Sequence, residues 1–161
     1  MFNQDLTFKT PNGRFNYQVG AIITRDERVL MVQNQGSHFY YSVGGRVRYG
    51  ENSEDALIRE VFEETGCYLE IEGLRFIHEN FFTERVTKEV FHELALYYYM
   101  KIPDIFNPCC SSISETGAVE SLTWLEISQL DSLEVYPTFL KNRLQSQPSG
   151  IIHIVENKIF S

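Results

Sequence analysis

Three glutamates that could bind a metal ion lie close together in a predicted helix over Ser53–Thr65. Glu63 and Glu64 follow Glu60 by three and four residues, so a helix places the three on one arc of its surface. Like charges at these spacings repel, at about 0.2–0.5 kcal/mol per pair. A hard divalent cation, which prefers carboxylate oxygens, would offset that repulsion. The alternative is a solvated acidic face, the common fate of a charge-rich helix.

The residues around these glutamates follow a fixed spacing. From Gly45 the sequence follows the pattern G-x5-E-x7-R-E-U-x-E-E-x-G-U, where U is a bulky apolar residue. At ordinary residue frequencies, chance would produce this pattern in roughly one chain in ten million. The spacing therefore favours a metal site over a solvated face. The residues that fill the fixed positions are Glu51, Arg59, Glu60, Val61, Glu63, Glu64 and Gly66.

This stretch resembles the Nudix box of the Nudix hydrolase family. It departs from the box at Cys67, where Ile, Leu or Val is usual, and at Val43, where many members have Pro. The resemblance implies an α/β/α sandwich (α+β class) around a mixed β-sheet. It also implies hydrolysis of a nucleoside diphosphate linked to another group, with Mg²⁺ as cofactor and Mn²⁺ as a substitute. The alternative is a Nudix module that binds nucleotides without turnover, although such modules often lose a box glutamate.

The resemblance also assigns roles to individual residues. It makes Glu60, Glu63 and Glu64 the metal ligands, with the Gly44 carbonyl as a further ligand. Glu60, Glu63 and Arg59 form the catalytic set, in which a glutamate activates water and Arg59 orients a carboxylate.

Two further motif positions and one residue outside the motif complete the expected site. Gly45 would let the backbone approach the site closely, and Glu51 would be a supporting carboxylate. Family members often recruit one more acidic residue from outside the box. Glu93, Glu115 and Glu120 are the candidates, and the sequence does not choose among them.

Phe39, Tyr41 and Arg46 are the predicted substrate-binding residues. The two aromatic rings could stack on a base, or they could simply pack beneath the preceding loop, since aromatic residues dominate cores. Arg46 is one of the few local cations that could receive an anionic substrate. Residues 81–84 carry neither the Pro typical of ADP-ribose hydrolysis nor the Tyr typical of dinucleoside polyphosphate hydrolysis. The sequence therefore does not identify the substrate.

Composition limits the choice of partner. The chain of 161 residues is 43% hydrophobic, which suits one domain over residues 1–161. The 22 acidic and 14 basic residues give a net charge of −8, which argues against binding to a nucleic-acid duplex. The expected partner is a small nucleotide-type molecule, and a homodimer is left open.

The cysteines and the hydrophobic pattern indicate a cytoplasmic protein. Cys67, Cys109 and Cys110 are odd in number and form no C-x2-C pair, so we expect reduced thiols. Residues 1–14 are polar and show no secretory signal. No apolar run approaches the roughly 20 residues that a membrane span requires.

The hydrophobic periodicity predicts the elements that must position the site. In the helix over Ser53–Thr65, Asn52 or Ser53 is the N-cap and Gly66 the C′ residue. Its core face is expected to consist of Leu57, Ile58, Val61 and Phe62. Strands are predicted over residues 15–24, 29–33, 68–78, 92–102, 121–125 and 151–155. A helical turn is predicted over 127–130 and a helix over 136–144, with Pro137 in its first turn, while residues 1–14 read as a lead-in.

Overall fold

The structure, a computed structural model, describes residues 3–109, 113–114, 117–146 and 149–159. The strands in these residues are β1 (Thr7–Thr10), β2 (Gly13–Ile22), β3 (Thr24–Arg25), β4 (Arg28–Asn34), β5 (Phe39–Arg46), β6 (Glu70–Thr83), β7 (Val90–Lys101), β8 (Glu120–Glu126), β9 (Glu134–Tyr136) and β10 (Ile152–Asn157). The helices are α1 (Ser53–Thr65), a 3₁₀ helix (Ile127–Ser132) and α2 (Leu140–Arg143).

The strands form one mixed sheet. Its main path runs β10-β6-β7-β2-β5-β4-β3, while β1 pairs with β2, β8 with β4, and β9 with β5. The pairs β2–β7, β6–β10 and β5–β9 are parallel, and the other pairs are antiparallel. The long apolar strand β7 lies inside the sheet, between β6 and β2, as its near-continuous hydrophobic sequence predicts.

The sheet carries a hydrophobic core on each face. On β4, Leu30 faces the core that contains Leu57 of α1, while its neighbour Val29 faces the core that contains Leu140 of α2. This alternation follows from the two-residue period of a strand. Helices therefore cover both faces of a mixed sheet, which confirms the predicted α/β/α sandwich of the α+β class.

Strand β5 joins the two halves of the sheet and carries the glycine pair. Residues 43–46 pair with β2, whereas residues 41 and 42 pair with β4. Gly44 has a φ of +152°, and a Cβ at this position would overlap the backbone oxygen of Val19. Only glycine therefore fits at this position of β5, which lies against the backbone of its neighbour β2.

The N-terminal residues are not the lead-in that the sequence predicted. Strand β1 forms a hairpin with β2, in which Thr7 pairs with Asn16 and Thr10 with Gly13. The residues before β1 also bond to the loop after β5, since the Leu6 N–H donates to the Val47 oxygen at 2.8 Å. The error has a simple cause: β1 is mostly exposed, so its sequence lacks an apolar face.

The predicted helix over residues 136–144 is also largely wrong. Tyr136 ends strand β9, where it pairs with Tyr41, and a cis peptide bond joins it to Pro137. Helix α2 covers only Leu140–Arg143. Pro137 therefore precedes the helix and does not lie in its first turn.

The other predicted elements are confirmed with shifts of one or two residues at their ends, except that β6 runs to Thr83 and does not end at His78 as predicted. The expected irregularity near residues 71–73 is a register shift between Ile71 and Gly73 on β6. Cys67 and Cys109 are free thiols, while Cys110 lies outside the described residues. In the described ranges, no helix is long and apolar enough to cross a membrane.

The close contact between Gly44 and the backbone of β2 predicts the effect of adding a methyl group at this position. We expect Gly44→Ala to lower the free energy of unfolding by roughly 1–3 kcal/mol or more, the range for a residue held in an unfavourable backbone region. Gly73→Ala is the matched control, because a Cβ there meets nothing within 4 Å. Urea denaturation followed by circular dichroism measures the stability of both variants. Equal destabilisation by the two would contradict the close contact between Gly44 and β2.

Candidate active site

Helix α1 has the ends that its sequence predicts. Of the two candidate caps, Asn52 is the one used: its side-chain oxygen accepts the backbone N–H of Asp55 at 2.9 Å. At the other end, Gly66 has a φ of 72°, and its N–H donates to the Phe62 oxygen. These two caps fix the rotation and length of the helix that carries the glutamates.

The buried face of α1 is rotated from the predicted one. Phe62, expected in the core, is 40% exposed and stacks on Tyr68 with 4.3 Å between ring centroids. Glu64, expected on the acidic face, is only 7% exposed. Because the glycine pair of β5 has no side chains, the helix can approach the sheet backbone and bury a carboxylate there. The buried residues are Ala56, Leu57, Val61, Glu64 and Thr65.

Glu64 is the most buried of the three glutamates. Its Oε2 accepts the backbone N–H of Gly44 at 2.8 Å. Burial raises the pKa of Glu64 to about 9, the Gly44 N–H opposes the rise, and the charges of Glu120, Glu60 and Glu63 add to it. A bound cation would reverse this balance, because an opposite charge favours the ionised carboxylate.

Glu60 lies against the second glycine of the pair. A Cβ at Gly45 would overlap the Glu60 carboxylate, so the predicted close approach of the backbone is present in the structure. Burial raises the pKa of Glu60, while its hydrogen bond with Arg59 lowers it. The glycine thus provides the space in which this carboxylate is held.

Arg59 uses its whole guanidinium group inside the box. Its Nε and Nη2 donate to the two Glu51 oxygens at 2.8 and 2.9 Å, and Nη2 also donates to the Arg46 carbonyl at 3.0 Å. Nη1 donates to Glu60 at 2.6 Å and to Glu63 at 3.5 Å. A guanidinium has five N–H donors, and each has an acceptor here. Burial lowers the pKa of Arg59, but its bonds to the glutamates outweigh that effect and raise it.

Glu51 fixes the loop before the helix. Besides its two bonds with Arg59, it accepts the backbone N–H of Arg48 at 3.0 Å. The hydrogen bond from Arg59 is the main reason that the pKa of Glu51 lies below its ordinary value. Glu51 therefore links Arg59 to the loop before the helix.

Glu63 is the outward-facing member of the three. Its side chain is 45% exposed and lies 3.6 Å from Nη2 of Arg48. In the described part of the chain, no three His, Cys, Asp or Glu side chains form a ready-made ion site. The donors nevertheless fit a hard cation in type, because Glu60, Glu63 and Glu64 all offer carboxylate oxygens and burial makes the charge of Glu64 unfavourable without a cation.

The structure separates the candidates for an additional acidic residue. Glu93 shares a face of β7 with Tyr97, which belongs to the core on the side away from α1. Glu120 lies 2.7 Å from the Tyr41 hydroxyl and close enough to raise the pKa of Glu64. Glu115 lies outside the described residues.

The predicted substrate-binding residues lie on both sides of β5. Phe39 and Tyr41 share the strand face of Gly45, towards α1, whereas Arg46 lies on the opposite face. Phe39 contacts the Tyr136 ring edge-on at 5.8 Å, and Tyr41 packs at the border of the core next to α1. Both aromatic residues are half-buried, so packing and partial exposure coexist.

Sequence reasoning missed three residues near this site. Tyr136 was assigned to a helix, Arg48 occupies a position that the motif leaves unspecified, and no signal placed Asp5 beside the motif. Asp5 lies 3.9 Å from both Arg46 and Arg48. The two arginines two residues apart were the visible signal, but their acidic partner is distant in sequence.

Comparison with known proteins relates the chain to one family. A family model described as the NUDIX domain matches residues 14–144. The uncharacterized Nudix hydrolase YvcI of Bacillus subtilis (strain 168) is 25% identical over 117 residues, which are 73% of this chain and 70% of the relative. The crystal structure of the mutator protein MutT from Bacillus halodurans has a TM-score of 0.67 at 16% identity, covering 91% of this chain and 93% of that one. An ADP-ribose pyrophosphatase from Streptococcus suis has a TM-score of 0.55 at 14% identity, covering 88% and 98%.

The grip of Arg59 on Glu51 predicts a pH-dependent contribution to stability. We expect Glu51→Gln to lower the free energy of unfolding at pH 7 by roughly 1–2 kcal/mol, as for hydrogen bonds to charged groups. Because the folded pKa is lowered, this contribution is complete above the ordinary value of 4.5 and is lost as the pH falls through the folded value.

Urea denaturation between pH 7 and pH 3 measures this difference. The difference in the free energy of unfolding between the wild type and Glu51→Gln should become smaller below about pH 4.5. Glu70→Gln, in an exposed ion pair with Lys101, is the control and should have a smaller effect. A gap that stays constant to pH 3 would contradict the role of the Arg59 bond.

Proposed function

The chain belongs to the Nudix hydrolase family, and from this we propose that it cleaves the pyrophosphate link of a nucleoside diphosphate joined to another group. One observation carries this proposal most directly. Glu60, Glu63 and Glu64 lie on one helix, where Arg59 donates a hydrogen bond to the first and the Gly44 N–H donates one to the last. Such an arrangement suits phosphoryl transfer, which depends mainly on positioning and charge neutralisation.

In this function, Glu60, Glu63, Glu64 and the Gly44 carbonyl would hold a divalent metal ion, Mg²⁺, for which Mn²⁺ could substitute. Such an ion neutralises charge on the phosphate oxygens and lowers the pKa of the attacking water. The burial of Glu64 supports its role as a ligand, since its carboxylate is unfavourable without a nearby cation.

Arg59 acts as the orienting residue of the catalytic set. All five of its N–H donors are taken up by Glu51, Glu60, Glu63 and the Arg46 carbonyl. A guanidinium in this state has no donor left for a substrate phosphate. Arg59 therefore orients carboxylates, and other cations must bind the substrate phosphates.

The substrate is a small nucleotide-type molecule. Phe39 and Tyr41 provide half-buried aromatic rings on the strand that leads to the glycine pair, and stacking on a base is worth about 1–3 kcal/mol. Arg46, which follows the glycine pair, is the third proposed substrate-binding residue, and its side chain lies on the other face of β5. One solved neighbour is an ADP-ribose pyrophosphatase, so ADP-ribose, nucleotide sugars and nucleoside triphosphates all belong in the test set.

Three broader predictions accompany this function. Residues 1–161 act as one domain, in the cytoplasm, as the cysteine pattern suggests. The net charge of −8 disfavours a nucleic-acid duplex as substrate. Whether the chain forms a homodimer is open.

A substrate screen with and without metal tests the proposed reaction. We expect hydrolysis of at least one nucleotide derivative with Mg²⁺ or Mn²⁺, and none after exhaustive chelation, measured by chromatography of the products. Glu63→Gln, prepared identically, should be roughly 100- to 1,000-fold slower, because several kcal/mol of transition-state stabilisation are lost.

Two outcomes would contradict the proposal. Full turnover without metal would exclude the metal-dependent mechanism, and equal turnover by Glu63→Gln would mean that this residue has no catalytic role. Tight nucleotide binding without turnover by the wild type would instead identify a binding module.

Arg59→Lys tests the orienting role separately from substrate binding. Lysine keeps the charge but loses the planar fork that grips Glu51 at two oxygens. We expect kcat to fall about 10- to 100-fold with little change in KM, because a misaimed carboxylate mainly affects the transition state. Metal affinity should fall by about 10- to 100-fold as well.

Steady-state kinetics at saturating Mg²⁺, together with a metal titration, measure these quantities. Arg28→Lys is the control, since Arg28 pairs with Asp26 and Glu126 outside the box. A large rise in KM with kcat and metal affinity intact would show that Arg59 binds the substrate directly.

A further inference from the structure

Three side chains meet on the face of the sheet that carries α1. Strand β4 pairs with β8 along one edge and with β5 along the other. Glu120 of β8 lies directly opposite Asn34. Tyr41 of β5 lies opposite Val32, two residues before Asn34. Since paired residues and residues two apart point to the same side of a sheet, the three side chains share one face, where Tyr41 packs against the core that contains Leu57 of α1.

The Tyr41 hydroxyl joins the other two side chains. Its oxygen is 2.6 Å from Oδ1 of Asn34 and 2.7 Å from Oε1 of Glu120. The hydroxyl has one proton for these two acceptors, but a half-turn of the Asn34 amide presents N–H groups that donate to the hydroxyl oxygen. The Tyr41 proton is then donated to Glu120. Hydrogen bonds to an ionised carboxylate are about twice as strong as neutral ones, so Tyr41 fixes where the Glu120 carboxylate lies.

The carboxylate that Tyr41 holds lies near the most buried glutamate of α1. Along β5, Tyr41 precedes Gly44 by three residues, which is about 10 Å, and the Gly44 N–H donates to Glu64. Burial is the main cause that raises the pKa of Glu64, and the charge of Glu120 is the next, ahead of the other two glutamates on the helix. Two carboxylates so close together favour a hard divalent cation beside them, because such cations prefer carboxylate oxygens.

Given the proposed hydrolysis, we propose that Tyr41 is a positioning residue, whose hydroxyl holds Glu120 beside Glu64 so that Glu120 joins the carboxylates that face the metal ion. Without the hydroxyl, the Glu120 side chain regains its other rotamers, and repulsion from Glu64 favours those that point away. Tyr41 touches neither the metal nor the reacting phosphorus in this role. The hydroxyl contacts lie at the far end of the ring, so they are compatible with a ring that stacks on a base.

Tyr41→Phe tests this role, because it removes the hydroxyl and keeps the ring. Mn²⁺ affinity, measured by calorimetric titration without nucleotide, should fall about tenfold, the lower end of the range for losing a partner of a metal ligand. On the substrate found for the wild type, kcat should also fall about tenfold. KM should change little, since the ring is retained. Glu120→Gln should weaken Mn²⁺ binding at least as much.

A double variant separates positioning from a direct role. Because Tyr41 acts through Glu120, Tyr41→Phe should cause no further loss of Mn²⁺ affinity in the Glu120→Gln background, so the two losses are not additive. Tyr40→Phe is the matched control, because Tyr40 is the neighbouring residue of β5 and packs against the opposite core. This control should leave Mn²⁺ affinity and kcat unchanged. Thermal melting without metal checks that all variants are folded.

The Mn²⁺ titration needs no turnover, which separates failure of the proposed reaction from failure of this inference. If the wild type hydrolyses no nucleotide but the Mn²⁺ affinities follow the expected order, the proposed hydrolysis is wrong and the role of Tyr41 stands. Wild-type Mn²⁺ affinity in Tyr41→Phe, additive losses in the double variant, an equal loss in Tyr40→Phe, or no Mn²⁺ binding by the wild type would each overturn the role of Tyr41.

Discussion

The close approach of a glycine pair to helix α1 is the constraint on which the candidate site depends. The N–H of Gly44 reaches the Glu64 carboxylate, and the missing side chain of Gly45 leaves room for Glu60. Any larger residue at these positions would either collide with β2 or displace a carboxylate. The helix therefore rests on strand backbone, and two of its acidic groups can be partly or fully buried.

The carboxylates around this contact differ in how far neighbouring donors compensate their negative charge. Arg59 neutralises Glu51 and Glu60 through short hydrogen bonds, whereas buried Glu64 has, among the described residues, only the Gly44 N–H as donor. Burial then disfavours the charged form of Glu64 and makes a cation favourable beside it. A buried carboxylate usually has a cationic partner, and Glu64 departs from this rule. Departures of this kind are typical of functional sites.

Long-range contacts supply the parts that surround this centre. Tyr136 contacts Phe39 because β9 pairs with β5, although the two residues are nearly a hundred positions apart in sequence. Asp5, which precedes β1, approaches Arg48 in the loop after β5. Neither contact has a local sequence pattern. The strand β1 and the residues before it are exposed or bonded through their backbone, so hydrophobic periodicity could not reveal them.

The sequence alone determined helix α1 and its caps through local propensity, and the motif residues from Gly45 to Cys67 through their spacing. The sandwich class followed from the family that this spacing resembles. The sequence misjudged which face of α1 is buried, since Phe62 is apolar but the sheet offers backbone to Glu64 instead. Tertiary structure also decided that Glu120, and not Glu93, lies near Glu64. The physical reason is that burial and charge proximity depend on which strands meet, and pairing between distant strands is not encoded in any short stretch.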